Sequence, residues 1–109
     1  MLLLLILSSC MIEDQSREVE YRALGKGIII NIAIRDENGD MIYFDNIETP
    51  AMWTYQMTAY RNDEVYIMAQ HNSFAPYYVG VVLIIDDIIV EDKFQAIPYA
   101  KVIISRILN

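Results

Sequence analysis

Gly27-Ile28-Ile29-Ile30-Asn31-Ile32-Ala33-Ile34-Arg35 is the stretch on which the fold turns. Alternate residues of an extended chain face opposite sides. Ile28, Ile30, Ile32 and Ile34 therefore point one way, and Ile29, Asn31, Ala33 and Arg35 the other. The first side is uniformly β-branched, as a half-buried strand prefers. Directly behind it, Asp36-Glu37-Asn38-Gly39-Asp40 places Asn-Gly between two apolar runs. That is the strongest short-range hairpin signal, because Asn and Gly accept the positive φ of a tight turn.

The same period of two recurs along the chain. In Trp53–Tyr60, Trp53, Tyr55, Met57 and Ala59 share a face opposite Thr54, Gln56 and Thr58, and Trp53 reads as core. In Glu64–Gln70, Val65, Ile67 and Ala69 alternate with Tyr66, Met68 and Gln70. Val79–Ile85 is apolar on both faces, the mark of a central strand. Val19–Leu24 and Ala100–Leu108 supply the first and last strands. Arg61-Asn62-Asp63 closes one hairpin, and Asp86-Asp87 joins Leu83–Ile85 to Ile88–Val90 in another; Pro76 and Pro98 fall at loop or edge positions. No window carries an apolar stripe of helical period. Short strands at regular spacing over about 90 residues predict an all-β, immunoglobulin-like antiparallel sandwich of about seven strands, with a barrel as the second choice.

Before that domain stands Met1-Leu2-Leu3-Leu4-Leu5-Ile6-Leu7-Ser8-Ser9-Cys10. An apolar run from Leu2 to Leu7 is far short of the roughly 20 residues a bilayer span needs. It has the composition of a secretory signal's hydrophobic region, although no Lys or Arg follows Met1. Leu7, Ser8, Ser9 and Cys10 match a bacterial lipoprotein box: an aliphatic residue, two small residues that let a peptidase in, and the Cys whose thiol takes the lipid. The expected organisation is a signal peptide over residues 1–9, a lipidated Cys10 and tether over 10–18, and the sandwich over 19–109. The chain would then sit outside the cytoplasm on a bacterial membrane, firmly held, since each buried methylene contributes about 0.8 kcal/mol.

Of the 109 residues, 55% are hydrophobic and 21% charged, which excludes a disordered polar tail. Eight Lys and Arg against 15 Asp and Glu leave a net charge of −7, so a nucleic-acid partner is not expected. One Cys excludes an internal disulfide framework, and one His excludes a multi-His metal site. His71 and Ser73 lie two residues apart in an expected loop, with no nucleophile elbow or oxyanion-hole glycine run, so no catalytic residue is assigned. Asp36–Asp40 offers close-spaced oxygen ligands that would suit Ca²⁺ in principle, but it lacks the twelve-residue loop and closing Glu, and as a turn it needs no ion. Asp86-Asp87 near Glu91-Asp92 reads as a solvated hairpin tip. No cofactor or metal is expected. Tyr66 and Met68, with Ile29, Tyr77 and Tyr78, are the candidate partner patch.

The order of motifs resembles small immunoglobulin-like domains of bacterial lipoproteins, grouped with the mycobacterial small membrane protein (MmpS-like) family. The residues that carry the resemblance are Tyr21, the Asn38-Gly39 hairpin, Asn46-Ile47-Glu48-Thr49-Pro50 followed by Trp53, Ala69-Gln70-His71-Asn72, Ile85-Asp86-Asp87-Ile88, and Tyr99 before the last strand. Asp87 stands where the family's turn has Gly, and Pro50 and Trp53 are two residues further apart than in its pattern. The resemblance implies a membrane-tethered sandwich, accessory to an exporter in the mycobacterial case. The functions expected are a non-enzymatic binding or transporter-accessory module or, as the alternative, an envelope or fimbria-like assembly subunit.

Overall fold

The computed structural model describes residues 16–49 and 52–109. Its strands are β1 (Ser16–Leu24), β2 (Ile29–Arg35), β3 (Met41–Glu48), β4 (Met52–Tyr60), β5 (Glu64–Gln70), β6 (Tyr78–Ile85), β7 (Ile88–Ala96) and β8 (Lys101–Ile107). They form two four-stranded antiparallel sheets, ordered β4-β1-β6-β7 and β3-β2-β5-β8. The protein is a β-sandwich. The adjacencies of β1, β2, β3, β4, β5 and β8 are those of strands B, C, C′, E, F and G in an immunoglobulin domain. The β6–β7 hairpin, inserted between β5 and β8, supplies the neighbour on the other side of β1.

The described residues form eight strands rather than about seven, and β7 continues to Ala96 where only Ile88–Val90 were expected. Glu91-Asp92-Lys93 interrupts the apolar pattern there because β7 is an edge strand exposed along almost its whole length. β1 begins at Ser16, inside the stretch read as tether, and pairs Ser16 with Tyr60.

Period two sets the core. Val19, Tyr21, Ala23, Met57, Ala59, Val79, Val81 and Leu83 of the first sheet face Ile30, Ile32, Ile34, Val65, Ile67, Ala69, Val102 and Ile104 of the second. Burying an aliphatic side chain of this size contributes about 1.5–3 kcal/mol. Val82 and Ile84 are buried although they point outward from β6. In register they are flanked by Arg22 and Asp92, and by Glu20 and Ile89, so long neighbouring side chains shield them in place of a second layer. Trp53 is half-buried against the core and packs on Phe44 at 5.1 Å between ring centroids.

The turns follow local chemistry. At the β2–β3 hairpin Gly39 has φ +80°, and Asp36 Oδ1 accepts the N–H groups of Asn38 and Asp40, both at 2.9 Å. Asp86 and Asp87 both have positive φ (51° and 65°), the backbone of a type I′ turn. Asp86 repays that strain by extending the β1 ladder: its N–H donates to Glu18 O and its Oδ1 accepts the Glu18 N–H.

Tyr21 carries polar contact across the core. The buried Tyr21 ring sends its hydroxyl to the second sheet, where it donates to Arg35 O at 2.8 Å and accepts the Tyr66 N–H at 3.3 Å. The β2–β5 ladder ends at Ile34 opposite Ile67, so Arg35 and Tyr66 are the next partners in register. The hydroxyl stands between the carbonyl of one and the amide of the other. Burial pushes the Tyr21 hydroxyl well above its ordinary pKa of 10.0, partly opposed by the Tyr66 N–H.

Two predictions follow from this packing. Ile32→Ala should cost about 2–5 kcal/mol, while Ile29→Ala, on the opposite and exposed side, should stay within about 0.5 kcal/mol; urea unfolding midpoints of the two variants check the alternation. Tyr21→Phe should cost about 1–3 kcal/mol near neutral pH, because two backbone groups lose their partner. The unfolded Tyr21 ionises near 10.0 while the folded one holds its proton, so the native protein loses stability as pH climbs past that value. The gap between native protein and Tyr21→Phe should therefore narrow above pH 10 in unfolding measured as a function of pH.

Candidate functional site

The alternation that turns Val65, Ile67 and Ala69 inward carries one step past β5 to His71, which is 1% exposed. The expectation of a loop-decorating histidine is thus corrected: His71 is a buried bracket. Its backbone N–H donates to Ala100 O at 3.2 Å, its Nδ1 accepts the Ser73 N–H at 3.2 Å, and its Nε2 lies 3.0 Å from Ile97 O. The Ala100 N–H also points at Nε2, at 3.4 Å, so the ring meets three backbone groups: the Ser73 N–H, the Ala100 N–H and the Ile97 carbonyl. One ring thereby ties the loop after β5 to the loop before β8. Ser73 Oγ accepts the Ala75 N–H at 3.1 Å, and neither imidazole nitrogen is its partner. The two side chains are held by backbone, not by each other.

Around this bracket opens a groove of about 410 Å³, on the second sheet at the end where the β1–β2 turn meets the β5–β6 loop. Asn31, Asn46, Gln70 and Asn72 give it four amides, and Ile29 and Tyr77 give it apolar walls. Tyr77 stands edge-on to His71 at 5.8 Å. The amides are presented by a β-bulge: the β2–β3 register shifts between Ile30 and Ile32, Asn46 takes φ +56°, and its N–H donates to Asn31 Oδ1 at 2.9 Å. Below the bulge the buried Thr49 fixes the β1–β2 turn, its hydroxyl reaching the carbonyls of Gly25 and Ile28. None of the lining side chains carries a carboxylate or an ammonium group. Amide donors and acceptors beside an aromatic wall suit a neutral polar ligand. The sequence reading missed these amides, whose only signal was Asn and Gln within or just past strands.

The expected partner patch is divided. Tyr66 and Met68 point outward from β5 on the second sheet. Tyr78 lies on the outer face of the first sheet, where it stacks on Phe94 at 5.4 Å beside Gly80; a Cβ at Gly80 would run into that Phe94 ring. Tyr77 sits at the groove instead. Burial and, secondarily, Asp92 raise the Tyr78 hydroxyl's pKa, while a hydrogen bond from Arg22 lowers that of Glu20. Cys10 and the residues before it, with Pro50, lie outside the described residues. At Asp36–Asp40 the Asp36 carboxylate oxygen is already engaged by two turn amides, and among the described residues no three His, Cys, Asp or Glu side chains come together as a metal would require.

Comparison with known protein families and with curated proteins finds no match to this chain.

Removing the imidazole leaves Ile97 O and the Ser73 N–H without their partner and opens a cavity beneath the groove. His71→Ala should therefore destabilise the protein by about 2–4 kcal/mol, read from the urea midpoint.

Proposed function

We propose that this chain is an extracytoplasmic lipoprotein, held on a bacterial envelope membrane through Cys10, and that its sandwich acts as a non-enzymatic binding module or as the accessory subunit of a transporter. The observation that carries the reading is Leu7-Ser8-Ser9-Cys10, set between an apolar run and a domain that is entirely β. The groove supports the binding role. It is walled by Asn31, Asn46, Gln70, Asn72 and Tyr77, residues that hold a ligand by hydrogen bonds and ring contact rather than transform it. The resemblance to the MmpS-like family points the same way, toward a small sandwich that works beside a membrane protein. Lipid at Cys10 would keep the groove within a short tether's reach of the bilayer.

Labelled palmitate and cell fractionation test the anchor. The native protein should take up label and partition with membranes, and Cys10→Ala should do neither. A Cys10→Ala protein that stays membrane-bound and a native protein that takes up no palmitate would together refute the proposal.

A further inference from the structure

The sandwich has four edges, and they are not protected alike. β3 is bent by its bulge and carries Asp45 and Glu48. β7 pairs through a bulge at Leu83–Ile84 and carries Glu91, Asp92 and Lys93. β8 carries Lys101 and Arg106. Bulges and charges of this kind are the usual guards against edge-to-edge pairing. β4 has none: Met52-Trp53-Thr54-Tyr55-Gln56-Met57-Thr58-Ala59-Tyr60 holds no charge, Pro or Gly. It also lies in an unbroken nine-pair register with β1. Among the described residues no strand takes its other side. In a chain of net charge −7, this is a neutral row whose outward backbone groups have no ladder partner among the described residues; at its end Tyr60 is taken by Asp63, whose Oδ2 accepts the Tyr60 N–H and whose N–H donates to Tyr60 O.

We propose that β4 pairs with the β4 strand of a second copy of this chain, antiparallel about a two-fold axis at Gln56, to join two first sheets into one of eight strands. The strand's own sequence argues for a copy of itself. Centred on Gln56, the register sets the strand against itself from end to end and keeps each residue on its own face, with new backbone pairing over Thr54–Thr58, inside the Tyr60 groups that Asp63 already holds. On the outer face Met52 lies opposite Tyr60 of the other copy, Thr54 opposite its Thr58, and Gln56 opposite Gln56. On the inner face the largest side chain, Trp53, meets the smallest, Ala59, and Tyr55 meets Met57. Thr–Thr and aromatic–sulfur neighbours are favourable cross-strand pairs, and no like charges oppose one another. Both chains are acidic, so pairing should strengthen as salt rises.

Single cysteines on the exposed outer face test the register, in the full chain carrying Cys10→Ala and held in mild detergent. Across the two-fold axis the Cβ atoms at Gln56 come within about 5.5 Å of one another, whereas the two copies of Thr54, or of Thr58, are offset by about 14 Å. Gln56→Cys should form a disulfide-linked dimer under mild oxidation at least about tenfold faster than Thr54→Cys or Thr58→Cys, while Thr54→Cys combined with Thr58→Cys should cross-link efficiently. By sedimentation, the parent protein should dimerise with rising concentration, and Thr54→Lys with Thr58→Lys should weaken that at least about tenfold. Cross-linking that is equal at the three single positions, or a protein that stays monomeric at every concentration, overturns the proposal; the second result would leave the edge to a strand of another protein.

Discussion

The Tyr21 hydroxyl is the contact on which the sandwich's geometry rests. Its ring belongs to the apolar interior between the sheets, where a hydroxyl without a partner would cost stability. It avoids that cost by occupying the place where the β2–β5 ladder stops, between Arg35 O and the Tyr66 N–H. The first sheet is thereby keyed to one position along the second, which apolar contact alone does not specify. Arg35, whose carbonyl takes part, also spans the neighbouring hairpin: its Nη1 donates to Gly39 O at 2.7 Å, and its Nε lies 2.7 Å from Glu64 Oε1, off the line of a hydrogen bond.

His71 performs the corresponding task at the far end of β5. Tyr66 near the start of that strand and His71 just beyond its end are both tied by a buried polar side chain, one reaching across the sheets and the other across two loops. A strand held at both ends is a firm base for the groove beside it. The ring that closes the loop after β5 also sets the position of Tyr77, and the bulge that turns Asn46 is braced by Asn31 of the adjacent strand. The site is thus built from backbone irregularities, each satisfied by one neighbouring amide or imidazole, on an otherwise regular sandwich.

Much of the architecture was legible in the residue pattern. Ile28 to Ile34, Val65 to Ala69 and Val79 to Ile85 alternate or run apolar in the way their observed burial requires, and the Asn38-Gly39 and Asp86-Asp87 turns lie where they were expected. The pattern faded where an edge strand has no buried face, so most of β7 was invisible. It misjudged His71 because a residue just beyond a strand is read as loop, although its parity already pointed inward. The candidate patch failed as a unit for a different reason. Tyr66 and Tyr78 each point outward, but β5 and β6 lie in opposite sheets whose outer faces look away from each other.

By itself, then, the sequence determined what is local: the identity and inward parity of the strands with a buried face, the turn chemistry, and the Leu7–Cys10 motif. Tertiary structure alone decided which strands share a sheet, that an imidazole just past β5 would join the loop before β8, and that Asn31, Asn46, Gln70 and Asn72 would meet in one groove. Alternation in a strand depends only on neighbours along the chain and can be read there. The pairing of strands far apart in sequence is settled by which combination buries the whole core and satisfies its few polar groups together.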